Sequence, residues 1–221
     1  MFPWNKIDTV LLDMDGTLLD LHFDNYFWLS LVPQVLSEQK RLPLKQAKHL
    51  VENAYAKVFG TLNWYCLDYW QQELELDITA LHHTITHKIK MRQDSMPFLR
   101  ALKAQGKSRI LITNAHPNSL ALKLEHTELA SGLDHMVSSH ETGFAKESPQ
   151  FWEALFERLP IDPERSLFID DSEAILHAAR NAGVAYQLGI NNPDSQQPHK
   201  VFRDFPAIHD YQMLLTDLQA K

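Results

Sequence analysis

With one cysteine, Cys66, among its 221 residues, the chain cannot form an internal disulfide, which excludes the stapled secreted scaffolds. The surrounding NWYCLDYW reads as packing rather than as a reactive thiolate site, so a reducing compartment is expected. Long apolar runs are missing too: no stretch approaches the roughly 18 apolar residues of a membrane helix, and MFPWNKIDTV has neither the basic start nor the apolar run of a secretory leader. The expectation is a soluble cytoplasmic protein with no membrane partner. Positive charge is scarce, at 21 Lys and Arg against 28 Asp and Glu, for a net charge of -7. That balance excludes the basic face a nucleic-acid backbone requires, and no nucleic-acid partner is expected. It leaves room for a phosphorylated small molecule, whose charge a metal and a lysine can neutralise locally. Internal repeats and low-complexity tracts are also absent.

What the chain does contain is a series of short apolar runs with the length of buried strands: TVLLDMD, SRILITN, DHMVSS, SLFIDD and VAYQLGI. Helix-length segments separate the later ones: PNSLALKLEHTELA, SPQFWEALFERL and SEAILHAARNAG, the last ending on Gly183. Strands alternating with helices predict an α/β fold with a doubly wound, mainly parallel sheet, Rossmann-like in class. The first interval breaks the rhythm, because about 90 residues separate Asp15 from Arg109 where one crossover helix suffices. Few Gly or Pro interrupt this stretch, and aromatics cluster at FDNYFW and LNWYCLDYW. The expected organisation is an α/β core from residues 1–19 and 95–221, with a helical cap from 20–94 inserted after the first strand. The tail from NNPDSQQPH reads as turns, closed by a surface helix at HDYQMLLTDLQAK.

The chemistry-bearing residues stand at strand ends. Asp13 and Asp15 follow a strand over Thr9 to Leu12, and Thr113 and Asn114 end SRILITN; Lys146 sits in TGFAKESPQ, and Asp170 and Asp171 close SLFIDD. In a parallel sheet these groups converge at the carboxyl edge, where ligands of open α/β sheets bind. Four carboxylates around one lysine repel one another. A divalent cation resolves this, and all-oxygen ligation suits Mg²⁺.

In all four motifs and in their order the sequence resembles the haloacid dehalogenase superfamily of phosphohydrolases. The resemblance implies that Asp13 attacks phosphorus to form an aspartyl-phosphate, a role for which a carboxylate needs no activating base. It implies that Asp15 protonates the leaving alkoxide and then activates water, with its backbone carbonyl on the metal. Thr113 and Asn114 would bind the phosphoryl group, and Lys146 would offset charge on nucleophile and phosphate. The metal ligands would be Asp13, Asp15 and Asp171, the aspartate before Ser172, with Asp170 acting through water. Asp171 has a competing role as cap of the helix SEAILHAAR, which Ser172 can also fill. An aspartate at position 15 marks the phosphatase form, since the dehalogenases, whose halide leaves unprotonated, lack it and need no Mg²⁺.

The resemblance extends over nearly the whole chain. TVLLDMDGTLLDLHFDNYFW, LNWYCLDYW, LITNAHP, KLEHT, LFIDDSEAIL and NPDS look like the bacterial GMP/IMP nucleotidases, 5'-nucleotidases of this superfamily. That implies a purine nucleoside 5'-monophosphate as substrate, with Tyr26 and Trp28 the first cap aromatics to consider for the base. A phosphatase for sugar phosphates or another small metabolite shares the same core. A phospho-receiver module also combines Asp, Thr and Lys on a parallel sheet, but carries its phosphorylated aspartate on a later strand and has no such insertion. His83 and His87 have helical i, i+4 spacing without a further ligand, and read as a solvated face. His116, next to the phosphate motif, either touches substrate or shapes its loop. Trp64, Tyr65, Tyr69 and Trp70 read as cap core.

Overall fold

The computed structural model describes residues 2–219. Six strands form one sheet: β1 (Thr9–Leu12), β2 (Ser108–Thr113), β3 (His135–Ser138), β4 (Ser166–Asp170), β5 (Tyr186–Ile190) and β6 (Ala207–Ile208), ordered β3-β2-β1-β4-β5-β6 with every pairing parallel. This is the doubly wound order, with its switch point between β1 and β4. The first five strands fall on the five expected runs. β6 lies in the tail read as turns, where two residues on a sheet edge are too few to show a period.

Register explains how the apolar runs become layers. Successive side chains of a strand alternate faces. Val10 and Leu12 therefore join Leu111, Leu167 and Ile169 in one core cluster, while Leu11 joins Ile110, Ile112 and Phe168 in the other. Between β1 and β2 lie α1 (His22–Tyr26), a π-helical turn Phe27–Leu31, α2 (Val32–Lys40), α3 (Leu44–Val58), α4 (Leu62–Tyr65), α5 (Leu67–Leu74), α6 (Ile78–Thr84) and α7 (Ser95–Ala104). Then come α8 (Pro117–Glu125), α9 (Ser139–Thr142), α10 (Pro149–Arg158), α11 (Glu173–Asn181) and α12 (Gln212–Gln219). Helices α7 and α12 cover the Val10 face, α10 and α11 the Leu11 face. The segment PNSLALKLEHTELA is not one helix: α8 stops at Glu125 and a separate 3₁₀ turn spans Leu129–Gly132. Ala220 and Lys221, the end of the expected closing helix, lie outside the described residues. Among the described residues no helix is long and apolar enough to cross a membrane.

Helices α1 to α6 bury a third cluster of their own, including Phe23, Phe27, Val51, Trp70, Leu74 and Ile78, closed by Leu122 of α8. His83 and His87 are exposed and are not on one helix, since α6 ends at Thr84. The inward residue is His82, its ring centroid 3.9 Å from that of Phe27 and 5.5 Å from that of Phe23. Its Nε2 is buried without a hydrogen-bond partner. Burial, with Lys123 and other cations nearby, pushes its pKa down to about 3.

The unfolded chain therefore takes up a proton at His82 as pH falls through about 6.5, while the folded chain resists down to about 3, so this site lowers stability on acidification. From pH 7 to pH 5 the loss expected from His82 is roughly 2 kcal/mol. In urea unfolding, His82→Phe should remove that part of the pH slope, the two stabilities converging or crossing in favour of the variant at pH 5. Parallel pH profiles would show that the imidazole is not held neutral by burial.

Candidate active site

The carboxyl edge is assembled around a buried ammonium. Asp13 continues β1, its N–H donating to Ile169 O at 3.0 Å, and this sets its side chain beside that of Asp170 on β4. Lys146 lies in the loop between α9 and α10 and is buried, with its Nζ 2.6 Å from Asp13 Oδ1 and 2.8 Å from Asp170 Oδ2. Burial alone favours the neutral amine, but the two carboxylates more than offset this and raise its pKa. The backbone of Lys146 is fixed at both ends: its N–H donates to Asn114 Oδ1 at 2.9 Å, and its carbonyl accepts from Trp152 Nε1 at 2.8 Å. Asn114 also donates through Nδ2 to Glu147 Oε2 at 3.0 Å, so its whole amide is spent on this loop. Thr113 is buried at the end of β2, where its Oγ1 accepts from Ala115 N at 3.0 Å.

Asp15 is served by a different lysine. Lys123, buried on α8, lies 2.8 Å from Asp15 Oδ1 and donates to both oxygens of Asp24, at 2.8 and 2.9 Å. Burial and the neighbouring Asp24 push the Asp15 pKa up to about 7 against the pull of Lys123. Burial likewise raises Asp170 to about 8, opposed by Lys146 and reinforced by Asp13. Asp170 Oδ1 accepts from Ser172 N at 2.8 Å, and no side chain caps α11, so Asp171 does not serve as that cap. Asp171 Oδ2 instead lies 2.6 Å from Lys200 Nζ, and burial raises its pKa.

The turn that sends Asp15 toward α8 depends on Gly16, which has φ +86°. A Cβ there would lie 2.9 Å from Asp171 Cγ and 2.9 Å from Pro193 Cβ. The glycine thus allows both the left-handed turn and the close approach of Asp171.

One carboxylate oxygen from each of Asp13, Asp170 and Asp171 falls within 4.8 Å of the others, and Asp13 Oδ2 is buried without a partner. A purely oxygen donor set of this kind fits a hard divalent cation. Five aspartates, at 13, 15, 24, 170 and 171, meet three lysines, and a cation bound among them would favour the ionised form of the carboxylates that burial holds back. The Asp15 side chain, engaged with Lys123, is not one of the trio.

These residues form one wall of a cavity of about 440 Å³, which also reaches Thr113, Asn114 and Lys146. The facing wall is aromatic: Trp28, Tyr55, Trp64, Tyr65, Trp70 and His82. Trp64 and Trp70 are therefore both packing and cavity wall, Tyr65 lines the cavity without belonging to that core cluster, and Tyr69 packs on the cluster without reaching the cavity. His116 lines the cavity and accepts from Asn118 N through Nδ1 at 3.3 Å. Tyr26 is not brought to the cavity; its ring lies under Lys88 Nζ, 4.1 Å from the centroid. Tyr26, at the end of α1, packs against the insertion's own core instead, while Trp28 stands in the π-helical turn that follows and lines the cavity. Tyr65 O–H donates to Glu147 Oε1 at 2.6 Å, tying the insertion to the Lys146 loop. Burial raises the Tyr65 pKa.

Sequence reasoning missed Lys123, Lys200, Asp24, Glu147 and His82. Two had a readable signal: Lys123 falls in the apolar stripe of α8 with Ser119 and Leu122, and Asp24 is an acid among the aromatics of FDNYFW. A buried charge needs a partner, so each pointed to the other.

A family model for haloacid dehalogenase-like hydrolases matches residues 7–183. The GMP/IMP nucleotidase YrfG of Escherichia coli (strain K12) is 50% identical over 215 residues, covering 97% of each chain. A phosphoglycolate phosphatase of Pseudomonas putida is 26% identical over 226 residues, 94% of this chain and 80% of the other. The crystal structure of a HAD phosphatase from Thermococcus onnurineus shares the fold with a TM-score of 0.80 at 21% identity, covering 97% of this chain and 99% of that one.

Gly16→Ala and Gly143→Ala separate the two demands on Gly16. Gly143 has φ +80°, but a methyl group at its Cα would meet nothing within 4 Å, so its substitution carries only the left-handed backbone cost, about 1 to 2 kcal/mol. Gly16→Ala should lose at least about 1 kcal/mol more, because Asp171 and Pro193 must move. Equal losses by thermal or urea unfolding would show that no close packing constrains position 16.

Proposed function

The chain belongs to the haloacid dehalogenase-like hydrolases, and on that premise we propose that it is a cytoplasmic, Mg²⁺-dependent 5'-nucleotidase that hydrolyses GMP and IMP through an aspartyl-phosphate on Asp13. The observation that carries the reading is the division of labour within Asp13: Oδ1 is held by Lys146, while Oδ2 is buried, unpartnered and on a residue lining a cavity large enough for a nucleotide.

Asp13 Oδ2 forms the bond to phosphorus as the ester P–O bond breaks. Lys146 keeps the carboxylate oriented and offsets charge that gathers on the phosphoryl oxygens. Asp15, with its pKa near neutrality, gives its proton to the departing ribose oxygen; a water then attacks phosphorus, its proton returns to Asp15, and inorganic phosphate leaves with Asp13 regenerated. Thr113, at the end of β2, donates to a phosphoryl oxygen. Asn114 acts one step back, by holding Lys146 and Glu147 in place. Asp13, Asp170 and Asp171 would hold Mg²⁺, with the Asp15 carbonyl, and the bound ion would supply positive charge opposite the phosphate.

Residues 20–94 serve in this reading as a cap that carries the specificity. A phosphate fixed at the acidic wall directs the rest of a monoester toward Trp28, Trp64 and Tyr65, where a flat purine stacks; one such contact is worth about 1 to 3 kcal/mol. The alignment to the E. coli GMP/IMP nucleotidase, 50% identical overall, spans this insertion as well as the core, which supports the same class of substrate.

Phosphate release over a panel of phosphomonoesters with Mg²⁺ tests the proposal. IMP and GMP should lead pyrimidine monophosphates and hexose phosphates in kcat/KM by roughly 10-fold or more. EDTA should abolish turnover and Mg²⁺ restore it. A panel led by a sugar phosphate or by phosphoglycolate, with purine nucleotides at background, would leave only the phosphatase core. Asp13→Asn should reduce turnover to roughly one per cent or less with folding retained. Trp28→Leu should shrink the purine preference while p-nitrophenyl phosphate is still hydrolysed. Tyr26→Leu, outside the cavity, should leave the preference unchanged.

A further inference from the structure

A second cluster of ligating side chains lies where the helical insertion meets the sheet, and its donors differ in kind from the acidic ones. Cys66 stands between α4 and α5, His116 immediately before α8, and His140 within α9. One ligand atom from each falls within 4.8 Å of the other two. The two imidazole rings meet edge to face with centroids 5.0 Å apart, and Asp68 Oδ2 is 3.6 Å from His116 Nε2. His140 Nε2 is buried with no hydrogen-bond partner. None of Cys66, Asp68 or His140 has a task in the hydrolytic steps above.

We propose that Cys66, His116 and His140 form a binding site for a thiophilic divalent metal such as Zn²⁺, with the exposed Asp68, which lies beside His116 but outside the three-residue cluster, rotating in as the fourth ligand, so that the metal clasps the insertion to the sheet. One thiolate, two imidazoles and a carboxylate make a tetrahedral set that Zn²⁺ takes and that Mg²⁺, which prefers all-oxygen donors, does not. Bond lengths of about 2.3 Å to sulfur and 2.0 to 2.1 Å to nitrogen put tetrahedral ligand atoms roughly 3.3 to 3.6 Å apart, so ligand atoms that lie within 4.8 Å of one another close by at most about 1.5 Å through side-chain rotation. His116 gives up only the long 3.3 Å contact from Asn118 N, since a ring bound through Nε2 carries its proton on Nδ1. Burial lowers the pKa of both imidazoles, against the pull of Asp68 on His116. On binding, the Cys66 S–H bond is replaced by a sulfur–metal bond and the thiol proton passes to solvent.

The ligands come from two sources. Cys66 and Asp68 belong to the insertion, while His116 and His140 follow β2 and β3 of the sheet. A metal shared between them fixes the insertion in its present position over the cavity. If the insertion opens to admit substrate and release product, the metal slows turnover; this consequence rests on the proposed hydrolase activity, and the metal site itself does not.

The test uses the full-length protein with saturating Mg²⁺ to fill the acidic site. Titration with Co²⁺ should give intense tetrahedral d–d bands and a thiolate-to-cobalt charge-transfer band, and Zn²⁺ should displace the Co²⁺ at one equivalent. Cys66→Ser should abolish the charge-transfer band and weaken Zn²⁺, measured against a chromophoric chelator, by about 100-fold or more. His140→Gln should weaken Zn²⁺ comparably while keeping any residual thiolate band. Cobalt spectra without a thiolate band, or Zn²⁺ affinity unchanged in both variants with melting temperatures like wild type, would overturn the site. In a parallel assay with p-nitrophenyl phosphate, Zn²⁺ should inhibit wild type but leave Cys66→Ser active; equal inhibition of the two would overturn the clasp. Failure to hydrolyse any phosphomonoester would count against the hydrolase reading and leave the spectroscopic result standing.

Discussion

The ammonium of Lys146, held between Asp13 and Asp170, is the interaction on which the rest of the site depends. Parallel pairing of β1 with β4 fixes two carboxylates side by side at the sheet edge, and burial denies them solvent. With one oxygen of each within 4.8 Å of the other, and an effective dielectric near 20, two such charges repel by about 3 kcal/mol or more when both are ionised. The lysine converts that repulsion into two charge-assisted hydrogen bonds from one donor. Removing one member of such a buried set leaves an uncompensated charge, a loss of about 3 to 5 kcal/mol. The fold therefore surrounds Lys146 with fixed partners: Asn114 and Trp152 on its backbone, Ile112 O and the ring of Phe168 near its Nζ.

The same logic joins the helical insertion to the sheet. Asp24 belongs to α1, Asp15 to the turn after β1, and Lys123 on α8 bridges the two. Tyr65, Glu147 and Asn114 form a second bridge, from α4 to the Lys146 loop. Both of these bridges touch a residue at the acidic wall or its immediate support. Movement of the insertion is thereby coupled to the charges facing the cavity, so a substrate that draws the aromatic wall inward also tightens the groups around phosphorus.

Much of this was legible in the sequence, for reasons that differ by residue. The strands were readable because short apolar runs bounded by turn residues and alternating with helix-length segments suit buried parallel strands and little else, and the insertion because the interval from Asp15 to Arg109 is too long for a crossover. Asp13 and Asp170 were readable because a parallel sheet brings strand ends together whatever the loops do, whereas Lys146, in the loop after α9, was readable through its place in the order of motifs. Pairings between distant elements were not. Nothing local in LALKLEH says that Lys123 meets Asp15 and Asp24, and nothing in NPDSQQPHK says that Lys200 turns back to Asp171. Tyr26 and Trp28 share one aromatic cluster in the sequence, and only the rotation of the helix decides which of them reaches the cavity. His82 was hidden for the opposite reason: its exposed neighbour His83 offered a more conspicuous spacing with His87.

The three lysines also rank the aspartates by how freely each can change partners. Asp13 and Asp170 share an ammonium that is about as buried as any group in the protein, and Asp15 shares another. Lys200, by contrast, leaves 47% of its side chain in solvent while pairing with Asp171. A half-exposed pair contributes at most about 1 kcal/mol, so Asp171 exchanges Lys200 for another cation at little cost, whereas Lys146 stays where it is. Within the proposed mechanism this divides the acidic trio into a fixed part and an exchangeable part. Asp13 and Asp170 would keep their geometry when a metal binds, and Asp171 would be the carboxylate that turns to take it, with Lys200 standing where positive charge is required.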